Sequence, residues 1–520
     1  MDEESASRAN LSSPFGKIAL SFSGGGYRAA AFHLGSLDML NELGLLQDVS
    51  ALSTVSGGTF TGMRYALALK AGQPYREFYN ELKTAFLTVD LPKLAFQKLA
   101  AGAPTIPSGR WDVITAFAQV YDEKLFGGKR FGYFWDDHPI PLTELVFNAT
   151  EFRTAVAFRF RKSDYPNAKI GNGKVYITAD QAKQIRIADI VAASSCFPGG
   201  FEPLSFPNDF NWPDNEIGRT VLEEIRAQDW APLPIMDGGI YDNQGIGSLM
   251  LGGDIEIERF GVFIFSDTDR PRDSIYTLPA PRKPGWLRLR HLNLAWWLLI
   301  ALAVVVALFS VYMAATRLHG LYGIFDLLSL AMASGTIAVL LWARTKIIGI
   351  LQIIPKIGLS AWDSTKDLKV NQFIDMIHLR ISSLFALASG VFMRRIRQMV
   401  FNSVYKDPRF AQKLVPSFIY DLPQAKSLPE PLGWLTPSEK MREVANAANK
   451  MDVTLWFNDP QQMKDLIACG QMTMCYKLLL HMIARKKESG VVVPLNAAFS
   501  RAHELFLKLK ENPYAFVDPP

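Results

Sequence analysis

Three short stretches hold residues whose types and spacing suit chemistry. The first is Ser23-Gly24-Gly25-Gly26-Tyr27-Arg28. Three successive glycines let a backbone turn sharply and leave N–H groups open to an anion, either a phosphate or a developing oxyanion. The same loop satisfies the dinucleotide pattern as Gly24-x-Gly26-x-x-Ala29, and a plain structural turn is a third reading. The second stretch is Thr54-Val55-Ser56-Gly57-Gly58, with a serine placed as on the tight strand-to-helix turn of G-x-S-x-G nucleophiles. Thr54 replaces the first glycine of that pattern. The third is Asp237-Gly238-Gly239, where a carboxylate beside glycines could accept a hydroxyl proton or simply cap a turn. Asp267 and Asp269 are rival carboxylates, ranked lower because they lack flanking glycines. None of the seven histidines stands in a setting that marks a triad base; His33 is expected to satisfy a structural hydrogen bond.

Each stretch falls at the end of an apolar segment. Ile18–Ser21 runs into the glycine loop, and helical spacing of Phe32, Leu34, Leu37, Leu40 and Leu43 follows it. Ala51–Val55 reads as a strand ending at Ser56, with a helix from Phe60 onward. Leu145–Phe160, Pro234–Met236 and Phe260–Phe265 read as further extended segments. Short buried strands separated by helices predict an α/β domain around a mostly parallel central sheet, with ligands collecting at the carboxyl ends of the strands.

The chain has 520 residues, 49% of them hydrophobic and 20% charged, with a mean hydropathy of +0.08. It is too apolar for a disordered protein and too charged for one wholly embedded in a membrane. A formal charge of +5 does not argue for nucleic acid and is compatible with an anionic membrane surface. Three cysteines without a C-x-x-C pair exclude a disulfide framework and a zinc knuckle, and fit a reducing compartment. No carboxylate cluster or histidine pair has ligand spacing, so no metal and no cofactor is expected.

Leu294–Ala315 is a run of 22 uncharged residues that would reach roughly 33 Å as a helix, enough for the ~30 Å hydrocarbon layer. Leu327–Ala343 is a shorter run of 17. Only Arg317 marks the linker between them, whereas Arg270, Arg272, Arg282, Lys283, Arg288 and Arg290 precede the pair and Arg344, Lys346 and Lys356 follow it. The positive-inside rule then puts both flanks in the cytoplasm, giving a hairpin anchor in the inner (cytoplasmic) membrane. Ile381–Met393 is too short to span and reads first as a core helix, second as a membrane-facing one. The predicted organisation is a leader at 1–16, a catalytic core at 17–269, a basic linker at 270–293 and the hairpin at 294–343. An interfacial connector at 344–365 and a helical part at 366–520, completing the catalytic domain, follow.

Taken together, glycine loop, serine turn and D-G-G resemble the patatin-like phospholipase family, whose pattern is G-G-G-x-[RK], G-x-S-x-G and D-G-[GA]. Leu145–Thr150, Ile187–Pro203 and the Leu466-Ile467-Ala468-Cys469-Gly470 run are similar to further stretches of that family. The resemblance covers Lys17–Asp269 and Lys366–Lys487, and is to a membrane-anchored, bacterial-type member. The hairpin is an insertion foreign to the family pattern. The resemblance implies a three-layer patatin-like domain and a serine lipid acyl hydrolase of phospholipase A type. Ser56 would be the nucleophile and Asp237 its partner in a Ser-Asp dyad. The oxyanion hole would draw on Gly24, Gly25, Gly26 and Gly57, with Arg28 nearby favouring negative charge. The implied partners are a membrane phospholipid substrate and the bilayer, with a homo-oligomer left open. Two other classes remain at this point: a non-enzymatic membrane scaffold on the same fold, and a nucleotide-binding oxidoreductase using Gly24 to Ala29.

Overall fold

Five short apolar segments form the parallel heart of the molecule. In the computed structural model they are β1 (Ile18–Phe22), β2 (Val49–Val55), β3 (Glu144–Glu151), β9 (Val262–Asp267) and β10 (Leu414–Phe418). The structure describes residues 14–102, 110, 112–135, 138–165, 168–228, 232–251, 258–270, 276–277, 280, 283, 285–316, 321–352, 367–489 and 493–518. Residues 1–13 of the leader, Arg317, residues 353–365 of the connector and residue 366 therefore lie outside the described residues, as do parts of the basic linker.

With β4 (Val156–Ser163), β5 (Ile170–Gly171) and β6 (Tyr176–Ile177), the sheet runs β10-β9-β1-β2-β3-β4-β5-β6, and its first four pairings are parallel. β1, β2 and β9 are buried at every position, as expected of strands covered on both faces. Leu145–Phe160 is not one extended segment. It turns at Phe152–Ala155, and β4 (Val156–Ser163) returns antiparallel to β3. β4 alternates buried and half-buried residues, the period-2 pattern of a sheet with one wetter face. The small strands β5 (Ile170–Gly171) and β6 (Tyr176–Ile177) close that edge.

β7 (Leu204–Phe206) pairs with β8 (Leu233–Asp237), and β8 pairs antiparallel with the far end of β3. The register explains how distant residues meet. β4 occupies one edge of β3 along its whole length, so β2 and β8 share the other edge. Val55 of β2 pairs with Asn148, and Asp237 of β8 pairs with Ala149. The carboxyl ends of β2 and β8 thus run toward each other along one edge and stop at neighbouring rungs.

Two glycines set the helical layer behind the sheet. α1 (Gly26–Glu42) follows β1, α2 (Gly57–Lys70) follows β2, and α3 (Ile187–Ser195), α4 (Gly239–Asp242), α5 (Met393–Tyr405) and α6 (Pro460–Ser489) complete the set needed here. α1 is buried at all but one position because α6 lies along its outer face. A methyl at Gly35 would lie 2.0 Å from the Ile467 carbonyl, and one at Gly470 would lie 2.1 Å from the Phe32 carbonyl. The backbones approach that closely only without side chains, so the Leu-Ile-x-x-Gly run is a packing device.

The chain divides into two compact units: residues 1–273 with 391–520, and residues 274–390. In the second unit, helices Leu289–Thr316 and Leu321–Gln352 pack on each other, with Ser310 Oγ donating to Ser329 Oγ at 3.0 Å and Arg344 to Asn293 Oδ1 at 3.0 Å. Leu298, Leu302, Leu308, Phe325, Leu328 and Met332 are exposed, the reverse of a helix built for a water-soluble core. Among the described residues, four helical stretches are long and apolar enough to cross a membrane: Leu289–Thr316, Ile324–Lys346, Val370–Tyr405 and Pro460–Lys486. The last is mostly buried in the first unit and serves as a core helix. Ile381–Met393, expected first as a core helix, is not one. Ile381, Leu384, Phe385, Leu387, Val391 and Phe392 are exposed, and helix Val370–Ala386 has no buried residue.

Candidate active site

The sequence places Ser56 between β2 and α2 with no residue to spare for a loop. Its backbone sits at φ 49°, ψ −119°, one of two described non-glycine residues with positive φ. A β-branched or bulky side chain is strained there, and even serine carries about 1–3 kcal/mol of backbone strain. Several contacts hold it in place. The Ser56 N–H donates to Ser194 Oγ at 3.0 Å, and that hydroxyl bonds Thr59 Oγ1 at 2.8 Å, itself 3.0 Å from Thr54 Oγ1. Gly57 and Gly58 permit the bend, since a methyl at Gly57 would lie 2.1 Å from the Gly26 carbonyl and one at Gly58 2.7 Å from the Phe22 carbonyl. Thr54, the departure from the serine pattern, lies in ordinary strand and leaves Ser56 in the turn.

Asp237 arrives from the opposite direction at the end of β8. Its N–H donates to the Cys196 carbonyl at 2.9 Å and its carbonyl accepts from Thr150 Oγ1 at 2.8 Å, so its main chain is fixed on both sides. Its Oδ1 accepts the Gly239 N–H at 2.7 Å, and the Ser56 side chain lies near enough to favour the ionised carboxylate. Burial raises the carboxyl from 3.8 to about 6, against the lowering effects of the Gly239 N–H and the Ser56 side chain. The two side chains, 181 positions apart in the chain, meet at the carboxyl edge of the sheet.

The glycine loop closes the third side. A methyl at Gly24 would stand 3.1 Å from Ser56 Cβ, so the loop passes directly over the serine. Gly25 at φ 145° and Gly26 at φ 60° adopt conformations that favour glycine. The Gly24 N–H donates to the Asn243 carbonyl at 3.0 Å, whereas the Gly25, Gly26 and Gly57 amides have no acceptor among the described residues. Gly26 and Gly57 are first residues of α1 and α2, positions whose N–H groups have no intrahelical acceptor. Two helix N-termini therefore converge beside the serine, an electrostatic setting for an oxyanion. Arg28 does not reach toward this space: its Nη1 donates to the Met451 carbonyl at 3.0 Å and its Nη2 to the Thr268 carbonyl at 2.9 Å. Burial, with the positive charge of Arg270 beside it, lowers Arg28 to about 10, so it stays cationic at neutral pH.

His33 lies behind the loop. Its Nε2 is 2.9 Å from the Ser23 carbonyl, which can only accept, so Nε2 carries the proton and Nδ1 accepts from Ser266 Oγ at 2.8 Å. Burial pushes the ring down to about 3, so it is neutral and structural. Asp267 and Asp269 are held by Arg397 and do not face Ser56 as Asp237 does.

Sequence reasoning did not single out Ser194, Thr59, Asn148 or Asn243. Asn148 Nδ2 donates to Ser53 Oγ and to the Thr54 carbonyl, each at 2.9 Å, tying β3 to the base of the turn. Asn243 Oδ1 would crowd a methyl at Gly24 (2.4 Å) or at Gly239 (2.5 Å), so it fills the seam between loop and carboxylate strand. Ser194 sits within the Ile187–Pro203 stretch, which carried a signal for the block but none for that hydroxyl. Among the described residues, no group of three or more histidine, cysteine, aspartate or glutamate side chains is placed to hold a metal ion.

The family model for patatin-like phospholipase matches residues 20–250. No curated protein matches the chain. Among solved structures, human GIVD cytosolic phospholipase A2 is similar over 49% of this chain and 46% of its own, at 14% identity and a TM-score of 0.33. The same human enzyme in complex with methyl gamma-linolenyl fluorophosphonate is similar over 43% of this chain and 35% of its own, at 16% identity and a TM-score of 0.27. The chain thus spans less than half the length of these structures. Between Leu20 and Met250, this chain carries a patatin-like phospholipase family domain.

Proposed function

We propose that this protein is a membrane-anchored serine lipid acyl hydrolase of phospholipase A type, acting on acyl esters of glycerophospholipids. The observation that carries the reading is the meeting of Ser56 with Asp237 beside three unengaged backbone amides. Ser56 Oγ attacks the ester carbonyl carbon while Asp237 takes the hydroxyl proton. The amides of Gly25, Gly26 and Gly57 receive the oxyanion of the tetrahedral intermediate. Collapse breaks the carbonyl-to-alkoxide bond, and the departing lysolipid oxygen takes the proton from Asp237. Water then attacks the acyl-serine, Asp237 accepts its proton and returns one to Ser56, and the fatty acid leaves.

A carboxylate poised near 6 suits this cycle, because it is ionised at neutral pH yet a stronger base than an exposed aspartate. The apolar helices fit the substrate, since an ester within a bilayer is reached by an enzyme held at that surface. By the positive-inside rule the catalytic unit lies on the cytoplasmic face. A dinucleotide-binding role for the glycine loop would leave the Ser56–Asp237 pair without a purpose.

The test is hydrolysis of phospholipid vesicles by wild type, Ser56→Ala and Asp237→Asn, with a chelator present, alongside fluorophosphonate labelling followed by mass spectrometry. Loss of activity in both variants and labelling at Ser56 are expected. Activity surviving both substitutions would end the dyad assignment, and an unlabelled Ser56 would favour the scaffold reading.

A further inference from the structure

The tripeptide Asp267-Thr268-Asp269 lies behind the glycine loop and helps to hold it, alongside the Asn243 and Thr454 carbonyls that accept from the Gly24 and Tyr27 N–H groups. Thr268 donates its N–H to Ser23 Oγ at 3.1 Å and its Oγ1 to the Gly24 carbonyl at 3.2 Å, and its carbonyl accepts from Arg28 at 2.9 Å. Its Oγ1 also lies where a side chain at Gly25 would have to go, at 2.7 Å. The residues on either side of Thr268 are carboxylates, and one guanidinium spans them. Arg397 Nη1 pairs with Asp269, and Arg397 Nη2 lies 3.6 Å from Asp267 Oδ1. Asp267 is buried and bonds Gln244 Nε2 at 2.7 Å through its other oxygen.

Arg397 belongs to α5, where the first unit resumes after the apolar insertion. α5 is seated independently by Val404 and Tyr405, which pack with Phe263 and Phe265 of β9. It also packs against α4, the short helix that directly follows Asp237-Gly238. A single helix thus braces both the strand end behind the oxyanion loop and the helix behind the general base.

We propose that Arg397 is a positioning residue for the hydrolysis. Its two-armed pairing with Asp267 and Asp269 fixes Thr268, and Thr268, bonded to the Gly24 carbonyl, fixes the Gly24–Gly25 peptide and so the Gly25 amide beside Ser56. The inference rests on the hydrolase reading above and deepens it. It makes the helix that closes the membrane insertion part of what sets the oxyanion hole. Without Arg397, two carboxylates would face each other across Thr268 with their shared cation gone. The tripeptide would then relax as water enters beside the unpaired carboxylates.

The test uses the full-length protein in mixed micelles, comparing wild type with Arg397→Gln, Arg397→Lys, Asp269→Asn and, as control, Ser56→Ala. Arg397→Gln is expected to lower kcat about 10–100-fold with KM within twofold, since small misplacements of catalytic groups act at that scale. The rate of fluorophosphonate labelling at Ser56 should fall in parallel, because the probe's phosphonyl oxygen uses the same amides. Arg397→Lys keeps the charge but not the fork, and should recover part of both rates. Asp269→Asn, which removes the more exposed carboxylate, should lower kcat about 3–30-fold and gives the reading if Arg397→Gln does not fold. A kcat within twofold of wild type in Arg397→Gln, or in Asp269→Asn if that variant alone folds, overturns the inference while leaving the dyad standing. Hydrolysis that persists in Ser56→Ala overturns the dyad itself, and the positioning role falls with it.

Discussion

Replacing Asp237 by asparagine should abolish hydrolysis and, at neutral pH, make the protein more stable. The sign follows from the buried carboxyl, which is raised from 3.8 to about 6 chiefly by burial. Between those values the folded protein holds a proton that the unfolded chain has released. The folded state therefore binds more protons, and stability falls as pH rises through this window. The stability associated with the protonated carboxyl is fully present below about pH 4 and gone above about pH 7. A shift of that size corresponds to about 3 kcal/mol at 1.36 kcal/mol per unit. Asparagine has the same shape, keeps an oxygen for the Gly239 N–H and never ionises, so it removes this term.

At pH 8 the variant should unfold at a temperature higher by about 4 °C, given the usual entropy of unfolding for a unit of this size. At pH 3.5 the two proteins should melt together. Hydrolysis should fall by at least ~10²–10⁴, the usual contribution of a positioned general base. In the wild type, kcat/KM should rise with pH along a limb of apparent pKa about 6. Thermal melts of both proteins across pH 3.5–8, with rate profiles on one vesicle substrate, check all three points. A variant less stable than wild type at pH 8, or a rate limb near pH 4, would refute the claim that a desolvated carboxylate is the base.

Ser194→Ala should move stability the other way. It strands the Ser56 N–H without its acceptor, for a loss of about 1–3 kcal/mol by denaturant titration, with slower fluorophosphonate labelling. Gly25→Ala puts a side chain at φ 145° and against Thr268, and should lower kcat by ~10²–10³, the usual effect of losing one oxyanion donor. Hydrolysis should persist in excess EDTA, because the proposed cycle moves its proton through Asp237 and places its oxyanion on backbone amides. The protein should remain in the membrane pellet after alkaline carbonate washing; release into the supernatant would refute spanning by Leu289–Thr316 and Ile324–Lys346.

How much of this was legible in the sequence depended on how local each signal was. The strand–glycine–helix order at Ser23–Ala29 and the turn at Ser56 are written in consecutive residues, so type and spacing sufficed. The long uncharged runs are visible for the same reason. What the sequence did not display were contacts made across the sheet. Asn243 lies in a plain Tyr-Asp-Asn-Gln stretch, and only register brings its side chain to Gly24. Ser194 matters because α3 ends beside Ser56, a long-range fact with no local mark. The β3–β4 hairpin was hidden because the turn at Phe152–Ala155 lacks glycine and proline. Ile381–Met393 misled because its length was counted by its uncharged residues alone, whereas it belongs to a longer helical run over Val370–Tyr405.

The reach of the glycine loop is narrower than its composition suggests, and the reason is physical. Three glycines in a row offer three amides, but a buried N–H must find a partner, and Gly24 spends its own on Asn243. That bond ties the loop to the segment following Asp237, so loop and carboxylate strand are held in one frame. The amides left over belong to Gly25 and to the first residues of two helices, where hydrogen bonding within the helix cannot reach. A strained serine, a desolvated carboxylate and unmatched amides each oppose folding, and their concentration at one sheet edge requires rigid surroundings. Those surroundings are the fully buried β1, β2 and β9, the Gly35–Gly470 helix contact, and Arg397 reaching in from the far side of the insertion. An enzyme with this layout keeps its oxyanion amides preset before the ester arrives, so a substitution in that frame should slow the chemical step more than it weakens binding.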